Sequence, residues 1–190
     1  MTREEIRAIS PTLDHFVTLK RASWDKEKNE YMTESAIEVI NFDQIPKEYA
    51  RGKGWLGVPK SNDALYMDSS SWTFIEFKNG SVDKVDVYRK IYDSIIMLID
   101  LKIVPDFDFV RNNIRYILVC KKDRFAGQES PSRAAIYAHA QNCAKSETIL
   151  FDLDKLKSFL LSEVHTYSPE EFEHNFVTPT EVLLASVRDA

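Results

Sequence analysis

Residues 61–80 read "SNDALYMDSSSWTFIEFKNG". Two short apolar runs, "DALYMD" and "WTFIEFK", flank a serine-rich turn, and Asn79-Gly80 closes the second run. Together they predict a β-hairpin. Three charged groups interrupt it: Asp63 heads the first run, while Glu76 and Lys78 end the second. A charge taken from water into a core costs several kcal/mol unless it is paired or neutralised, so this pattern asks for a partner. Side chains alternate faces along a strand, which puts Glu76 and Lys78 on one face and Phe77 on the other. The numbers of paired residues in a hairpin have a constant sum, here about 139 to 141 for a turn centred near residues 69–71. An odd sum places Asp63 on the face of Glu76 and Lys78, within about 5 to 8 Å. An even sum places it on the opposite face. Asp68 is the rival acid, but it sits at the turn, and a rise of about 3.3 Å per residue sets it more than about 10 Å from Glu76.

Beyond the hairpin, Val85, Tyr88, Tyr92, Ile95 and Ile99 recur at helical spacing, with Arg89, Lys90 and Asp93 on other faces. "IRYILVCKK" follows as a nearly continuous apolar run, the mark of a strand covered on both sides. Strand, long helix and buried strand imply a right-handed parallel crossover, and hence an α/β fold with a mixed β-sheet flanked by helices. Upstream, Ser10-Pro11 predicts a helix over residues 11–22, and "DKEKNE" is a solvated turn. A second helix is expected from Thr33, carrying Ala36, Ile37, Val39 and Ile40, with Pro46 ending it or following soon after. Downstream, Ser130-Pro131 starts a helix to about Ala144. "TILFDL" reads as a strand and "FLLSEVHT" as one more. Ser168-Pro169-Glu170-Glu171 and Thr178-Pro179-Thr180-Glu181 are capping boxes that start short C-terminal helices.

The chain of 190 residues shows no repeat or linker, so residues 1–190 are expected to form a single domain. No apolar run approaches the length of a membrane span, and the charged start "MTREEIRAIS" lacks the apolar segment of a secretory leader. A cytoplasmic location without membrane attachment is the expectation. Cys120 and Cys143 are too few and too far apart for a disulfide framework or a zinc knuckle, and Cys120 reads as a small core residue. The net charge is -5, and residues 151–190 alone carry eight acids and three bases. The remainder is therefore neutral overall, which gives little long-range steering toward phosphate. In the alternative of a binding module, the acidic C-terminal helices would offer a surface for a protein partner.

Two carboxylates and an ammonium at one spot suit Mg²⁺ or Mn²⁺, hard cations that take oxygen ligands and keep waters. Such an ion lowers the pKa of a bound water and polarises a phosphoryl oxygen, while the lysine orients that water or offsets developing charge. A surface ion pair on a sheet edge is the competing reading, and the residues alone leave both open. Asp63, then Glu76-Phe77-Lys78 on the next strand, then a long helix, resembles the PD-(D/E)XK nuclease superfamily. The resemblance implies a restriction-endonuclease-like αβββαβ core over roughly residues 33–121. Residues 122–190 would add a further helix, strands and the acidic C-terminal helices. It also implies Asp63 and Glu76 as metal ligands, the Phe77 carbonyl as a further ligand and Lys78 as the catalytic lysine. Mg²⁺ or Mn²⁺ would be the cofactor and DNA or RNA the substrate. Asn62 stands where the family's named pattern has proline, and the following helix has no glutamine-tyrosine motif. Bacterial proteins that share "FIEFKNG" are similar too, a likeness that carries no activity. A non-catalytic binding module that keeps the nuclease-like frame is the alternative.

"GKGWLG", residues 52–57, spells G-x-G-x-x-G but lacks the strand before it and the helix after it that dinucleotide binding needs. It reads as a loop beside the hairpin, where Lys53, Trp55 and Lys60 could contact a phosphate backbone or a base. Lys60 and Lys90 are candidate substrate-binding residues, with Arg89 beside them; an exposed helix charge is the competing role for Arg89 and Lys90. Glu34 and Glu38 are candidates for a further metal-ligating acid. Arg111, Arg115, Lys121, Lys122 and Arg124 form the most basic stretch. A second acid-x-lysine triplet, Asp100-Leu101-Lys102, reads as a solvated helix end. The histidines at 15, 139, 165 and 174 show no tight ligand spacing. Neither a G-x-S-x-G elbow nor a P-loop occurs, which removes support for a serine hydrolase or a nucleoside triphosphatase.

Overall fold

A computed structural model describes residues 1–121 and 149–188. The chain starts with α1 (Arg3–Ile9), β1 (Phe16–Thr18) and α2 (Leu19–Ala22). A two-strand ribbon follows, β2 (Trp24–Asp25) with β3 (Glu30–Tyr31), closed by the solvated turn at residues 26–29. Then come β4 (Glu38–Asn41), α3 (Ile45–Lys53), β5 (Ala64–Met67) and β6 (Trp72–Lys78). The long α4 (Lys84–Asp100), α5 (Phe107–Asn113) and β7 (Ile114–Cys120) complete the first described segment. The second holds β8 (Glu163–Tyr167), α6 (Pro169–Phe172) and α7 (Thr178–Arg188). Six strands form one mixed sheet in the order β1-β4-β5-β6-β7-β8.

The hairpin's register is Ala64↔Ile75, Leu65↔Phe74, Tyr66↔Thr73 and Met67↔Trp72, so paired numbers add to 139, an odd sum. Asp68 locks the turn, its Oδ1 accepting from the Ser70 N–H at 2.7 Å and the Ser71 N–H at 2.8 Å. β4 pairs antiparallel with β5, and β6 pairs parallel with β7 along its whole length. β5, β6, α4 and β7 thus follow the strand-strand-helix-strand order that the sequence anticipates, with α5 added before β7 and β4 standing where a helix was expected.

Alternation along the strands divides the core in two. Leu65, Met67, Trp72, Phe74, Tyr116 and Leu118 face α4, meeting its Val87, Ile91, Ile95 and Leu98. Ala64, Tyr66, Ile75, Ile117 and Val119 face the other way, toward Phe172 and Val177. The buried stripe of α4 is rotated from the apolar positions picked out in the sequence: Val85 is 74% exposed, and Tyr92 is exposed as well. The stripe that packs is Val87, Ile91, Ser94 and Leu98, all at helical spacing. At the far edge, β1 is three residues long, and the guanidinium groups of Arg3 and Arg7 lie 5.0 and 5.9 Å from the Phe16 ring centre.

Several sequence expectations are corrected. Ser10 caps only a 3₁₀ turn, Pro11–Leu13, and residues 16–18 are strand, as the consecutive Phe16-Val17-Thr18 favours. The helix expected from Thr33 does not form. Ile37 and Val39 enter one core while Ile40 enters the other, a period-two pattern in a β-branched run, and Glu38–Asn41 is strand. Pro46 opens α3 instead of ending a helix. Residues 149–153 of "TILFDL" make no strand, because Phe151 and Asp152 take positive φ of 62° and 56°. Only the second half of "FLLSEVHT" is strand. The Ser168 capping box forms, but Thr178 is already helical at φ -57°, reached through a π turn over Glu173–Val177. That wider turn accommodates Pro179, which has no N–H to offer. The helix expected from Ser130 to Ala144 lies outside the described residues. Among the described residues no helix is long and apolar enough to cross a membrane.

The α4 packing sets an expectation for denaturation. Ile91→Ala, which empties a fully buried position, should lower unfolding free energy by about 2 to 5 kcal/mol. Ile96→Ala, on the exposed side of the same helix, should change it by less than about 0.5 kcal/mol in the same urea titration.

Candidate functional site

The antiparallel ladder between β5 and β6 ends at Ala64↔Ile75, yet β6 continues against β7 to Lys78↔Cys120. Glu76, Phe77 and Lys78 therefore have a strand on one side and a notch on the other. Asp63 fills that notch, its Oδ2 accepting the Phe77 N–H at 2.7 Å. Its Oδ1 lies 3.4 Å from the Lys90 Nζ, which also donates to Glu76 Oε1 at 2.6 Å. Lys78 Nζ sits 3.1 Å from the same Glu76 oxygen and 3.3 Å from Asp86. Asp86 in turn pairs with Lys60 at 3.1 Å. Asp63, Lys90, Glu76, Lys78, Asp86 and Lys60 thus form a chain of alternating charge. It runs from an exposed lysine inward to Glu76, which has no solvent exposure at all.

Helix α4 supplies Asp86 and Lys90, one turn apart, and Ser94 anchors the approach to Asp63. The main-chain N–H and the Nδ2 of Asn62 both donate to Ser94 Oγ at 3.1 Å. Proline at position 62, having no N–H, could not make the first of these bonds.

Burial pushes the Glu76 carboxyl up to about 8, with Asp63 adding to it and Lys90 and Lys78 pulling back. Burial also raises Asp63, against the Lys90 charge and the Phe77 N–H. Lys90 shows the converse: burial works against its charge, but Asp63 and Glu76 outweigh that and hold the ammonium firmly protonated. Nearer solvent, burial would raise Asp86, yet its bonds to Lys60 and Lys78 keep it below the ordinary range. The Tyr116 hydroxyl is buried on the same face, and burial followed by Glu76 keeps it neutral.

Glu76 Oε2 and Tyr116 Oη are both buried with no hydrogen-bond partner among the described residues. Buried polar atoms are rarely left so. Two carboxylates, one with an oxygen still to be satisfied, are oxygen donors of the kind a hard divalent cation takes. Among the described residues no three His, Cys, Asp or Glu side chains gather to hold a metal by themselves. A cation here would complete its shell with water or substrate oxygens, as Mg²⁺ commonly does.

The sequence-predicted residues divide clearly. Asp63, Glu76, Lys78, Lys60 and Lys90 come together, Lys90 inside the cluster and not as an exposed helix charge. The Phe77 side chain points to the opposite face, where its ring meets Phe172 edge-on at 5.7 Å. Glu34 and Glu38 are not one helical turn apart, since this segment is extended; they pair with Lys20 and Arg3. The acid that approaches instead is Asp43, which accepts from Ser61 Oγ at 2.8 Å and raises Asp63 further. Arg115 and Lys121 pair with Glu163 and Glu30, and Arg111 donates to the Phe159 carbonyl. Lys122, Arg124 and His139 lie outside the described residues. "GKGWLG" is no dinucleotide turn, because its first residues end α3. Sequence reasoning missed Asp86, Asp43 and Ser94. The signal for Asp86 was its i,i+4 relation to Lys90 next to the apolar Val87 and Ile91.

No protein-family model, curated protein or solved structure matches this chain.

The raised Glu76 pKa has a definite sign in stability. Between the unfolded carboxyl value of about 4.3 and the folded value the native state holds a proton that the unfolded chain has lost, so Glu76 costs stability as pH rises through this window. In chelator, Glu76→Gln should therefore gain stability relative to wild type in urea titrations from pH 5 to pH 8. The gain should reach up to about 1.4 kcal/mol per pH unit. A difference independent of pH would contradict a buried, proton-binding Glu76.

Proposed function

We propose that this chain is a divalent-metal-dependent phosphodiesterase acting on DNA or RNA, working in the cytoplasm and related to the PD-(D/E)XK nucleases. The observation that carries the reading is the convergence of Asp63 and Glu76 on one ammonium, at 3.4 and 2.6 Å, with Lys78 3.1 Å from Glu76. Asp63 and Glu76 would hold Mg²⁺ or Mn²⁺, with the Phe77 carbonyl as a further donor. When bound, the cation would supply an activated water and polarise the phosphoryl oxygen. The Phe77 N–H fixes the orientation of Asp63 through Oδ2. Lys78, on the solvent side of Glu76, would position the attacking water or offset charge on the phosphorane oxygens. Lys60 at the mouth would take a neighbouring phosphate, exchanging Asp86 for it.

A non-catalytic binding module is favoured by one specific observation: the Lys90 ammonium already sits against both acids, at 3.4 and 2.6 Å, where a cation would otherwise lie. The acidic C-terminal helices would then provide the surface for a protein partner. An incubation with single- and double-stranded DNA and RNA, in Mn²⁺ or in chelator, separates the two. The expected outcome is cleavage that chelator and Glu76→Ala both abolish, and that Lys78→Ala slows by about 10²- to 10³-fold. Cleavage that survives chelator or Glu76→Ala overturns the proposal. Calorimetry that detects no Mn²⁺ binding in wild type would assign the chain to the module.

A further inference from the structure

Beside the charged cluster lies a hollow of about 390 Å³, within the size range of small-molecule sites, walled by Tyr49, Trp55, Val58, Pro59, Arg89 and Ile96. Trp55 is 54% exposed, a large apolar surface left to water, yet it is held in place. Gly54 ends α3 at φ +70°, a conformation that glycine adopts without strain, and the Trp55 N–H returns to the Ala50 carbonyl at 2.9 Å. The indole then stands edge-on to Tyr49, with ring centres 5.5 Å apart. Lys53 braces this corner through Asp100 at 2.6 Å.

The opposite wall carries Arg89, 63% exposed and only loosely paired with Asp93 at 3.5 Å. The hollow is also continuous with the cluster. The Lys60 N–H donates to Asp93 at 3.0 Å while the Lys60 ammonium pairs with Asp86. Arg89 directly precedes Lys90, and Asp93 lies about 4.5 Å further along the helix axis.

Resting on the nuclease reading above, we propose that this hollow is a subsite for an unpaired nucleobase, so that the strand is engaged single-stranded. A fixed indole face, a phenol ring and a planar guanidinium form a stacking wall for a base, and every base has a π-face to offer. The Asp93 carboxylate accepts hydrogen bonds and suits an exocyclic amine at the base edge. The backbone of the same strand would lie toward Lys60 and Lys78. A base buried here is withdrawn from its duplex partner, and extruding it from a duplex costs a few kcal/mol, which sets the preference for single strands.

Fluorescence and anisotropy titrations in chelator test this without requiring cleavage. The probes are a twelve-nucleotide single-stranded oligodeoxyadenylate and its duplex with oligothymidylate, added to wild type and to Glu76→Gln. The single strand should bind at least about tenfold more tightly than the duplex and quench tryptophan emission. Trp55→Ala should weaken single-strand binding by about 5- to 150-fold, and Trp55→Phe should recover most of it without the quench. Duplex binding should be unchanged by either substitution. Equal affinities for both forms, a Trp55→Ala variant that binds like wild type, or no binding at all overturns the subsite. If Mn²⁺-dependent cleavage is lost in Glu76→Ala but untouched in Trp55→Ala, the nuclease reading stands and the subsite falls. Self-association lost in Trp55→Ala, without oligonucleotide binding, would assign this face to protein contact and overturn the proposal.

Discussion

The ammonium of Lys90, in contact with both Asp63 and Glu76, is the interaction on which the architecture around the notch depends. Two carboxylates shielded from water repel each other and lose hydration, a cost of several kcal/mol per ion unless an opposite charge is fixed beside them. Lys90 reaches them only if α4 is rotated so that Val87, Ile91 and Ser94 also face the sheet. The charge requirement and the apolar stripe therefore select the same helix phase. The bond pair from Asn62 to Ser94 holds the chain entering β5 against that same face. Removing one partner of the Lys90–carboxylate contacts leaves an uncompensated buried charge, which is far worse than removing both.

The hairpin was legible because strand parity is a discrete property. Once the turn is placed, an odd register admits one arrangement of Asp63, Glu76 and Lys78, and a slip of one residue would move the whole set to the other face. The phase of α4 was not legible in the same way. Counting apolar positions favoured Val85, Tyr92 and Ile99, whereas the packed stripe includes Ser94 and sits beside Lys90. These polar residues are drawn inward by partners distant in sequence, Asn62 and Asp63 before β5 and Glu76 on β6. The segment at 33–41 failed for a related reason. Its apolar residues fit both periods over so short a run, and pairing with β1 and β5 decided for strand.

The overall negative charge is compatible with the proposed phosphate-directed site because the relevant charges are local and already matched. Lys60 and Lys78 both pair with Asp86, and Arg89 pairs with Asp93. Partly exposed pairs of this kind are worth little individually and can exchange partners. An incoming polyanion would compete with Asp86 and Asp93 for amines already held in position, so it meets a preorganised mouth and not a field that attracts it from afar. The burial of Glu76 confines the strong electrostatics to the floor of the notch.

The far edge of the sheet raises a different matter. β1 offers three residues, and Arg3 and Arg7 lie over its aromatic ring. So short a strand is a poor template for a second chain, because a docking strand would find few backbone groups to pair with. Among the described residues the sheet ends at this border, and its shortness there disfavours the edge-to-edge stacking that leads to fibrils.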